Sequence, residues 1–148
     1  MEERDYGYRQ LTVWQKSMEL VRLVYAQIKL LPSDERFALA DQLRRSVSSI
    51  PSNIAEGNGR ASKKDYAHFL AIARGSLYET LTQLEIAQDL GYIEAIPQIE
   101  SLAVEIRRML GAMLQKYGAY RPHPSPSTFP PLPSTSLSPS TFPPSTSV

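Results

Sequence analysis

The sequence has no cysteine, only two histidines and almost no net charge, and each scarcity excludes a class of protein. Without cysteine there is no disulfide, thiolate zinc site, iron–sulfur cluster or cysteine nucleophile. A net charge of +1, from 16 Lys+Arg and 15 Asp+Glu, excludes a histone-like polycation, so a nucleic-acid role requires local basic clusters. No run approaches the ~20 apolar residues of a membrane span, and Met1 to Arg9 lacks the apolar segment of a secretion signal. We therefore expect a soluble cytoplasmic protein.

Composition divides the chain of 148 residues after Arg121. Residues 122–148 contain 9 of the 12 prolines, 8 serines, 4 threonines and no acidic residue, lysine or arginine. Such a segment cannot bury enough apolar surface to offset the entropy of ordering it, so we predict a disordered tail with polyproline II character. The tail repeats SPSTFPP at Ser125–Pro131 and Ser138–Pro144, which duplication of a short coding stretch explains better than a docking motif. Residues 1–121 are then the one folded domain.

The first two predicted helices have clear apolar faces and differ in how their ends are marked. Thr12 and Gln15 form a capping-box pattern at the start of the first helix, and Pro32 marks its end. Ser33 is the predicted N-cap of the second helix, which continues through Pro51 with a kink because its apolar positions keep their phase. The predicted core faces are Leu11, Trp14, Met18, Val21, Tyr25 and Ile28, and then Phe37, Ala40, Leu43, Val47, Ile50 and Ile54.

Glycine and proline delimit the other two predicted helices. Residues 57–59 (Gly-Asn-Gly) predict a turn, after which Ser62 opens a third helix that ends at Gly91. The fourth helix begins at Pro97 and ends at Gly118. Their predicted core faces are Tyr66, Phe69, Leu70, Ala73, Leu77, Leu81, Leu84 and Ala87, and then Ile99, Leu102, Ile106, Met109, Met113 and Tyr117. Because the connections are short, neighbouring helices must run antiparallel, and the predicted fold is an all-α, up-down-up-down four-helix bundle.

Further apolar residues lie off these four faces, which predicts a second buried surface and therefore the association of several copies. They are Val13, Leu20, Leu23, Val24, Leu39, Ile72, Ile86 and Leu114. Gly75, in the middle of the third helix, also predicts the close approach of another helix, from the same chain or from the next subunit.

Three basic clusters are the candidate phosphate-binding residues. Arg60, Lys63 and Lys64 lie at the start of the third helix, where exposed N–H groups and the helix dipole add positive potential. The other two are the pairs Arg44 and Arg45 on the second helix and Arg107 and Arg108 on the fourth. Arginine outnumbers lysine by 11 to 5, which suits bidentate phosphate contacts. An ordinary solvated helix surface is the alternative interpretation of all three.

Catalytic and metal sites lack the residues that they need. Asp65-x-x-His68 is half of a di-iron bundle motif, but the predicted bundle contains only this one histidine. There is no nucleophile elbow and no glycine-rich phosphate loop. We therefore expect no enzymatic activity, no metal and no cofactor. Packing in the core or between subunits explains most of the 8 tyrosines better than base stacking does.

Three blocks in the chain resemble a known protein family. They are residues 50–57 (IPSNIAEG), residues 75–77 (GSL) and residues 90–92 (LGY). Over residues 8–118 the chain is similar to the bacterial four-helix-bundle proteins called 23S ribosomal RNA intervening-sequence proteins. The resemblance implies a small bundle that assembles as a pentameric ring, encoded by genes first noticed inside insertions of large-subunit ribosomal RNA genes. The accessory variability determinant proteins of diversity-generating retroelements, which share this bundle and ring, bind nucleic acid and a reverse transcriptase through a basic surface.

These observations predict a non-enzymatic scaffold, a homopentamer, that binds structured RNA or DNA by neutralising phosphates. The predicted contact residues are Arg44, Arg45, Arg60, Lys63, Lys64, Arg107 and Arg108. The alternative is a protein-interaction adaptor, for example for a reverse transcriptase, with no nucleic-acid affinity of its own.

Overall fold

The computed structural model describes residues 6–118, which form four α-helices and two short 3-10 helices and contain no β-strand. The α-helices are α1 (Thr12–Ile28), α2 (Leu39–Asn58), α3 (Lys63–Asp89) and α4 (Pro97–Tyr117), and the 3-10 helices are Gly7–Gln10 and Ser33–Glu35. None of the described helices combines the length and apolarity that crossing a membrane requires. The predicted tail at residues 122–148, with its two repeats, lies outside the described residues.

Each helix packs against the next one along the chain, and α4 closes the arrangement against α1. Ser46, early in α2, hydrogen-bonds to Gln83, late in α3. Tyr66, early in α3, meets Tyr117 at the end of α4. Neighbouring helices are therefore antiparallel, and among the described residues no Cα atoms of the diagonal pairs α1–α3 and α2–α4 lie within 8 Å of each other. The predicted all-α, up-down-up-down bundle is confirmed.

The core face of α1 is not the face that its apolar pattern favours. Its buried residues are Val13, Ser17, Leu20, Val24 and Ile28. The predicted row from Leu11 to Tyr25 is half-buried or exposed instead. Because Ser17 interrupts the row of residues that is buried, the pattern favoured the neighbouring row, which is apolar throughout. The Ser17 hydroxyl donates a hydrogen bond to the carbonyl oxygen of Val13 at 2.6 Å. With its hydrogen bond satisfied, a buried serine costs little.

Most of the apolar residues that predicted a second buried surface belong to the core of this chain. The prediction of a second buried surface from these residues was therefore wrong. The core members are Val13, Leu20, Val24, Leu39 and Leu114. Of the others, Leu23 is half-buried, whereas Ile72 and Ile86 are exposed. Gly75 is not approached by another helix of the described chain, since a Cβ added there would meet nothing within 4 Å beyond its own helix backbone, and the approach of a helix from another subunit stays a prediction. The case for association now depends on the few exposed apolar side chains.

The start of α2 lies later than the prediction placed it. Ser33 belongs to a 3-10 helix instead of capping α2, and Phe37, a predicted core residue, is 85% exposed. The carboxylate of Glu35 caps α2, because it accepts a hydrogen bond from the N–H of Leu39 at 3.3 Å. The helix continues through the buried Pro51, as predicted.

Gly57 was predicted to lie in a turn, but it is a buried residue in the last turn of α2. An added Cβ would lie 2.8 Å from the Cβ of Phe69 and 2.9 Å from the Cδ2 of Tyr66 on α3. Gly57 is therefore required for the close approach of two helices. The turn itself comes afterwards, over residues 59–62.

The caps of α3 and α4 agree with the sequence. The hydroxyl of Ser62 accepts a hydrogen bond from the N–H of Asp65 at 3.1 Å. Gly91 and Gly118 follow the two helices with φ of +75° and +78°, and Pro97 is the first residue of α4. The predicted capping box of α1 was wrong, because Gln15 donates its amide to the carbonyl oxygen of Arg9. Also predicted for the core but only half-buried are Phe69, Leu81, Met109, Met113 and Tyr117.

Candidate functional site

The two ends of the bundle carry opposite charge. The first 3-10 helix, the α2–α3 turn and the end of α4 meet at what we call the basic end. Its described cations are Arg9, Arg60, Lys63, Lys64 and Lys116, beside the carboxylates of Glu56 and Asp65. At the other end, the acidic end, the α1–α2 and α3–α4 connections bring together Asp34, Glu35, Glu85, Asp89, Glu94 and Glu100, beside Lys29 and Arg36. A polyanion is therefore attracted to one end and repelled from the other.

A groove of about 370 Å³ lies on the surface between α3 and α4, and we call it the arginine groove. It is lined by Arg74, Tyr78, Arg107, Arg108, Gly111, Ala112 and Gln115. Arg107 and Arg108 are exposed and form no ion pair with any residue of the described range. A Cβ added at Gly111 would meet nothing within 4 Å, so the groove is open at this point. Arginine side chains from two helices on one concave surface favour an anionic ligand that offers several acceptors.

The sequence interpretation missed Arg74 and Tyr78, although a simple count could have found the first. Arg74 lies 15 residues before the end of α3 at Asp89, and Arg108 lies 11 residues after the start of α4 at Pro97. Because antiparallel helices run away from their connection at about 1.5 Å per residue, these two arginines lie about one turn apart in height, a difference that long side chains can span.

The predicted pair on α2 does not reach this groove. Arg44 and Arg45 lie on the helix diagonal to α4 and are not among the described residues that line the groove. Arg45 Nε is also 3.0 Å from the carboxylate of Asp41, one turn earlier. The seven predicted residues therefore do not form one continuous surface within a single chain.

The predicted cluster at the α2–α3 turn lies at the basic end. The Arg60 guanidinium is 2.9 Å from the Glu56 carboxylate and 4.8 Å from the ring centroid of Phe69, which holds it against the turn. Lys63 and Lys64 are exposed in the first turn of α3. Each cation at a helix N-terminus interacts unfavourably with the helix dipole, at a cost of a few tenths of a kcal/mol of stability. The placement of these two lysines therefore does not stabilise the isolated chain.

A larger and mainly apolar hollow, of about 440 Å³ and wide open to solvent, lies at the basic end between α1 and α4. We call it the α1–α4 cavity. Its lining includes Leu11, Val13, Tyr66, Met109, Met113 and Tyr117, with Thr12, Asn58 and Lys116 as polar members. Ala112 lines both this cavity and the arginine groove, so the two concavities are neighbours across one small side chain.

Two tyrosines give the α1–α4 cavity its aromatic wall. The ring centroids of Tyr66 and Tyr117 are 4.7 Å apart, and the Lys116 ammonium lies 5.6 Å from the Tyr117 ring centroid. Burial raises the pKa of Tyr66 above its ordinary value, while the hydrogen bond from Asn58 acts in the opposite direction. That bond is 3.5 Å long, at the weak limit for a hydrogen bond.

A second aromatic group lies at the same end, next to the first 3-10 helix. The ring centroids of Tyr6 and Tyr8 are 5.9 Å apart, and those of Tyr8 and Trp14 are 5.2 Å apart. The Arg9 guanidinium lies 5.0 Å from the ring centroid of Tyr6. The basic end therefore combines cations with partly exposed aromatic rings.

The acidic end has a cavity of its own, of about 300 Å³, with Leu84, Ile93 and Ile99 among its apolar residues. Carboxylates of α3, α4 and their connection border it. Among the described residues, no three histidine or carboxylate side chains form a group that could hold a metal ion. His68 is exposed and rests against Phe69, with 5.5 Å between ring centroids.

Comparison with known proteins gives a family and a related structure. The family model described as "23S rRNA-intervening sequence protein" matches residues 9–112. A crystal structure at 1.70 Å resolution, of a protein of unknown function from the S23 ribosomal protein family of Bacteroides thetaiotaomicron, is 30% identical to this chain with a TM-score of 0.62. The alignment covers 70% of this chain and 99% of that one. No curated protein matches the sequence.

Proposed function

The chain belongs to the 23S rRNA-intervening sequence protein family, and we propose that it is a non-enzymatic, oligomeric scaffold that binds RNA or DNA through a basic surface. The observation that carries the proposal is the arginine groove, where Arg74 of α3 meets Arg107 and Arg108 of α4. The basic end, with Lys63, Lys64 and Lys116, extends the same positive surface.

The mechanism is neutralisation of phosphates by guanidinium and ammonium groups. Arg107 and Arg108 are exposed and have no carboxylate partner in the described chain, so a phosphate does not have to displace an internal ion pair. Guanidinium groups bind phosphate oxygens in pairs, which positions a nucleic-acid backbone without reading its sequence. Binding should therefore weaken steeply as salt rises and change little with base sequence.

Association of several copies would strengthen this surface. One arginine groove per chain is modest, and a homopentamer would present five of them to one polymer, which raises the effective local concentration of binding groups. Light scattering tests the assembly, for which we expect a molar mass several times the 16.6 kDa of one chain. A monodisperse single chain would contradict the oligomer and leave the groove to act alone.

Fluorescence anisotropy with labelled RNA and DNA tests the binding proposal. We expect measurable binding of the full chain at about 50 mM salt, with log K falling linearly against log salt. Absence of binding to every probe at that salt would overturn the proposal.

A charge-matched pair of variants locates the surface. Arg107→Gln with Arg108→Gln removes two cations from the arginine groove, and the salt slope should decrease by about 0.7–0.9 for each phosphate that is no longer neutralised. Lys29→Gln with Arg36→Gln removes the same charge from the acidic end and should leave the slope unchanged. Equal effects of the two pairs would mean that net charge, and not the groove, controls binding.

A protein-interaction adaptor, for example for a reverse transcriptase, is the second candidate, and exposed apolar residues on α3 favour it. Ile72 is 38% exposed and Ile86 is 45% exposed, on a helix that also carries the 48% exposed Tyr78. If the change of Ile72 and Ile86 to serine abolishes capture of a protein partner that the arginine variant still binds, the adaptor is the better description.

A further inference from the structure

We propose that the α1–α4 cavity receives an unpaired nucleobase, so that the nucleic acid bound by this protein is single-stranded at the point of contact. The inference rests on the proposed function and adds a ligand class to it. The cavity belongs to the basic end, has an apolar lining with an aromatic wall, and adjoins the arginine groove.

The lining suits a flat, mainly apolar ring with polar edges. Tyr117 presents a half-buried ring, and Met109 and Met113 supply thioether sulfurs that pack well against aromatic systems. Bases stack on aromatic side chains regardless of sequence, because every base has a π-face. A base paired within a duplex cannot offer that face, which limits the ligand to an unpaired nucleotide.

The polar members of the cavity match the edge of a base and its phosphate. Asn58 has an amide that both donates and accepts hydrogen bonds, and its present bond to Tyr66, at 3.5 Å, is weak enough to be exchanged for a ligand. Lys116 brings an ammonium group to the cavity beside the Tyr117 ring. Amide and ammonium therefore border an otherwise apolar space.

Charge complementarity selects a polyanionic strand as the occupant. An apolar compound alone would fill the cavity but would offer no negative charge to Lys116 or to Arg107 and Arg108 of the neighbouring groove. Since Ala112 lines both concavities, a strand whose phosphates lie in the arginine groove can place an adjacent base in the cavity across this small side chain. The two sites then act on successive parts of one ligand.

The test compares a single-stranded 12-nucleotide RNA with an abasic phosphodiester strand of equal length and charge. Wild-type protein should bind the RNA about 5- to 150-fold more tightly than the abasic strand, the range for stacking of one base.

Thr12→Phe places a ring in the cavity from an exposed position, and it should bring this ratio close to one without changing the affinity for the abasic strand. Thr82→Phe, at an exposed threonine that lines neither concavity, is the matched control and should keep the wild-type ratio.

A second variant protects the test against misfolding of the first. Tyr117→Leu keeps an apolar side chain and removes the stacking ring, so the ratio should again fall towards one. Equal affinity of the wild-type protein for both strands would overturn the base cavity and leave the phosphate-binding function standing. Binding of neither strand would overturn both.

Two other occupants would also overturn the proposal. If Thr12→Phe reduces the oligomer to single chains in light scattering, a second copy covers the cavity. If a synthetic peptide of residues 122–148 binds the wild-type protein and fails to bind Thr12→Phe, the cavity belongs to the chain's own C-terminal segment.

Discussion

The interface between α2 and α3 is closely packed and contains buried hydrogen bonds between side chains, whereas the interface between α1 and α4 leaves an open, mainly apolar cavity. Across the first, the Thr80 hydroxyl lies 2.9 Å from the Ser46 hydroxyl, and Ser49 and Ser76 meet at 2.8 Å. Across the second, Lys16 and Glu105 form an ion pair whose two side chains are partly exposed. The hydrogen bond in that ion pair raises the pKa of Lys16.

The difference follows from the size of the side chains at each contact. Serine, threonine and glycine let two helix backbones approach closely, and each buried hydroxyl then needs a partner because water is excluded. Within residues 6–118 every buried side-chain nitrogen or oxygen has a hydrogen-bond partner. We therefore expect the α2–α3 interface to tolerate less change than the α1–α4 interface, which leaves space for a ligand.

The largest test of this comparison is a matched pair of glycine substitutions. Gly57→Ala adds a Cβ 2.8 Å from that of Phe69, and we expect it to lower the free energy of unfolding by about 1–3 kcal/mol through overpacking. Gly111→Ala, at a helical position with no neighbour within 4 Å, should raise it by about 0.5–1 kcal/mol through helix propensity. Urea denaturation of the two variants measures both effects.

The sign of each change tests a different part of the bundle, because Gly57 lies between α2 and α3 whereas Gly111 lines the arginine groove between α3 and α4. A neutral Gly57→Ala variant would mean that α2 and α3 are not in close contact at this point. A destabilised Gly111→Ala variant would mean that something other than residues 6–118 packs over α4, since these residues offer nothing for the new methyl group to meet.

A smaller effect should separate two threonines that lie two positions apart on α3. Thr80 is buried, and its hydroxyl lies within hydrogen-bond distance of Ser46 on α2, whereas Thr82 is exposed and bonds only to the carbonyl of Tyr78 on its own helix. We expect Thr80→Val to cost about 1–2 kcal/mol of unfolding free energy and Thr82→Val less than about 0.5 kcal/mol. Urea denaturation again gives both values, and equal losses would show that the α2–α3 hydroxyls contribute nothing specific.

The sequence predicted the helices better than it predicted which side of each faces the core. The boundaries of α3 and α4 follow from Ser62, Gly91, Pro97 and Gly118, because caps are local features. The core face of α1 depends on which of two adjacent apolar rows fits against α2 and α4. Periodicity could not decide this, since the buried row contains Ser17, whose hydroxyl is satisfied within the helix.

The candidate site was predictable only in part, for a similar reason. Arg107 and Arg108 were identified as a basic pair, but their partner Arg74 lies on another helix and is brought to them by the antiparallel register. The α1–α4 cavity could not be predicted at all. Its lining comes from all four helices and the residue before α1, and the space remains because the half-buried Met109, Met113 and Tyr117 lie beside the core row of α4.

The smallest expected effect concerns pH and the aromatic wall of the α1–α4 cavity. Burial raises the pKa of Tyr66 in the folded chain above the value of about 10 in the unfolded chain. The folded state therefore holds this proton more tightly, so the stabilisation is complete below pH about 10 and is lost as pH rises through the folded-state pKa.

We expect the unfolding free energy of the wild-type protein to fall over that alkaline range, and that of Tyr66→Phe to fall less steeply. Urea denaturation at pH 7, 10 and 11 measures the two slopes, with pH 7 giving the constant difference between the proteins. The cavity beside Tyr66 admits water, which limits the effect. Parallel slopes of the two proteins would mean that the Tyr66 phenol is as well solvated in the folded chain as in the unfolded chain.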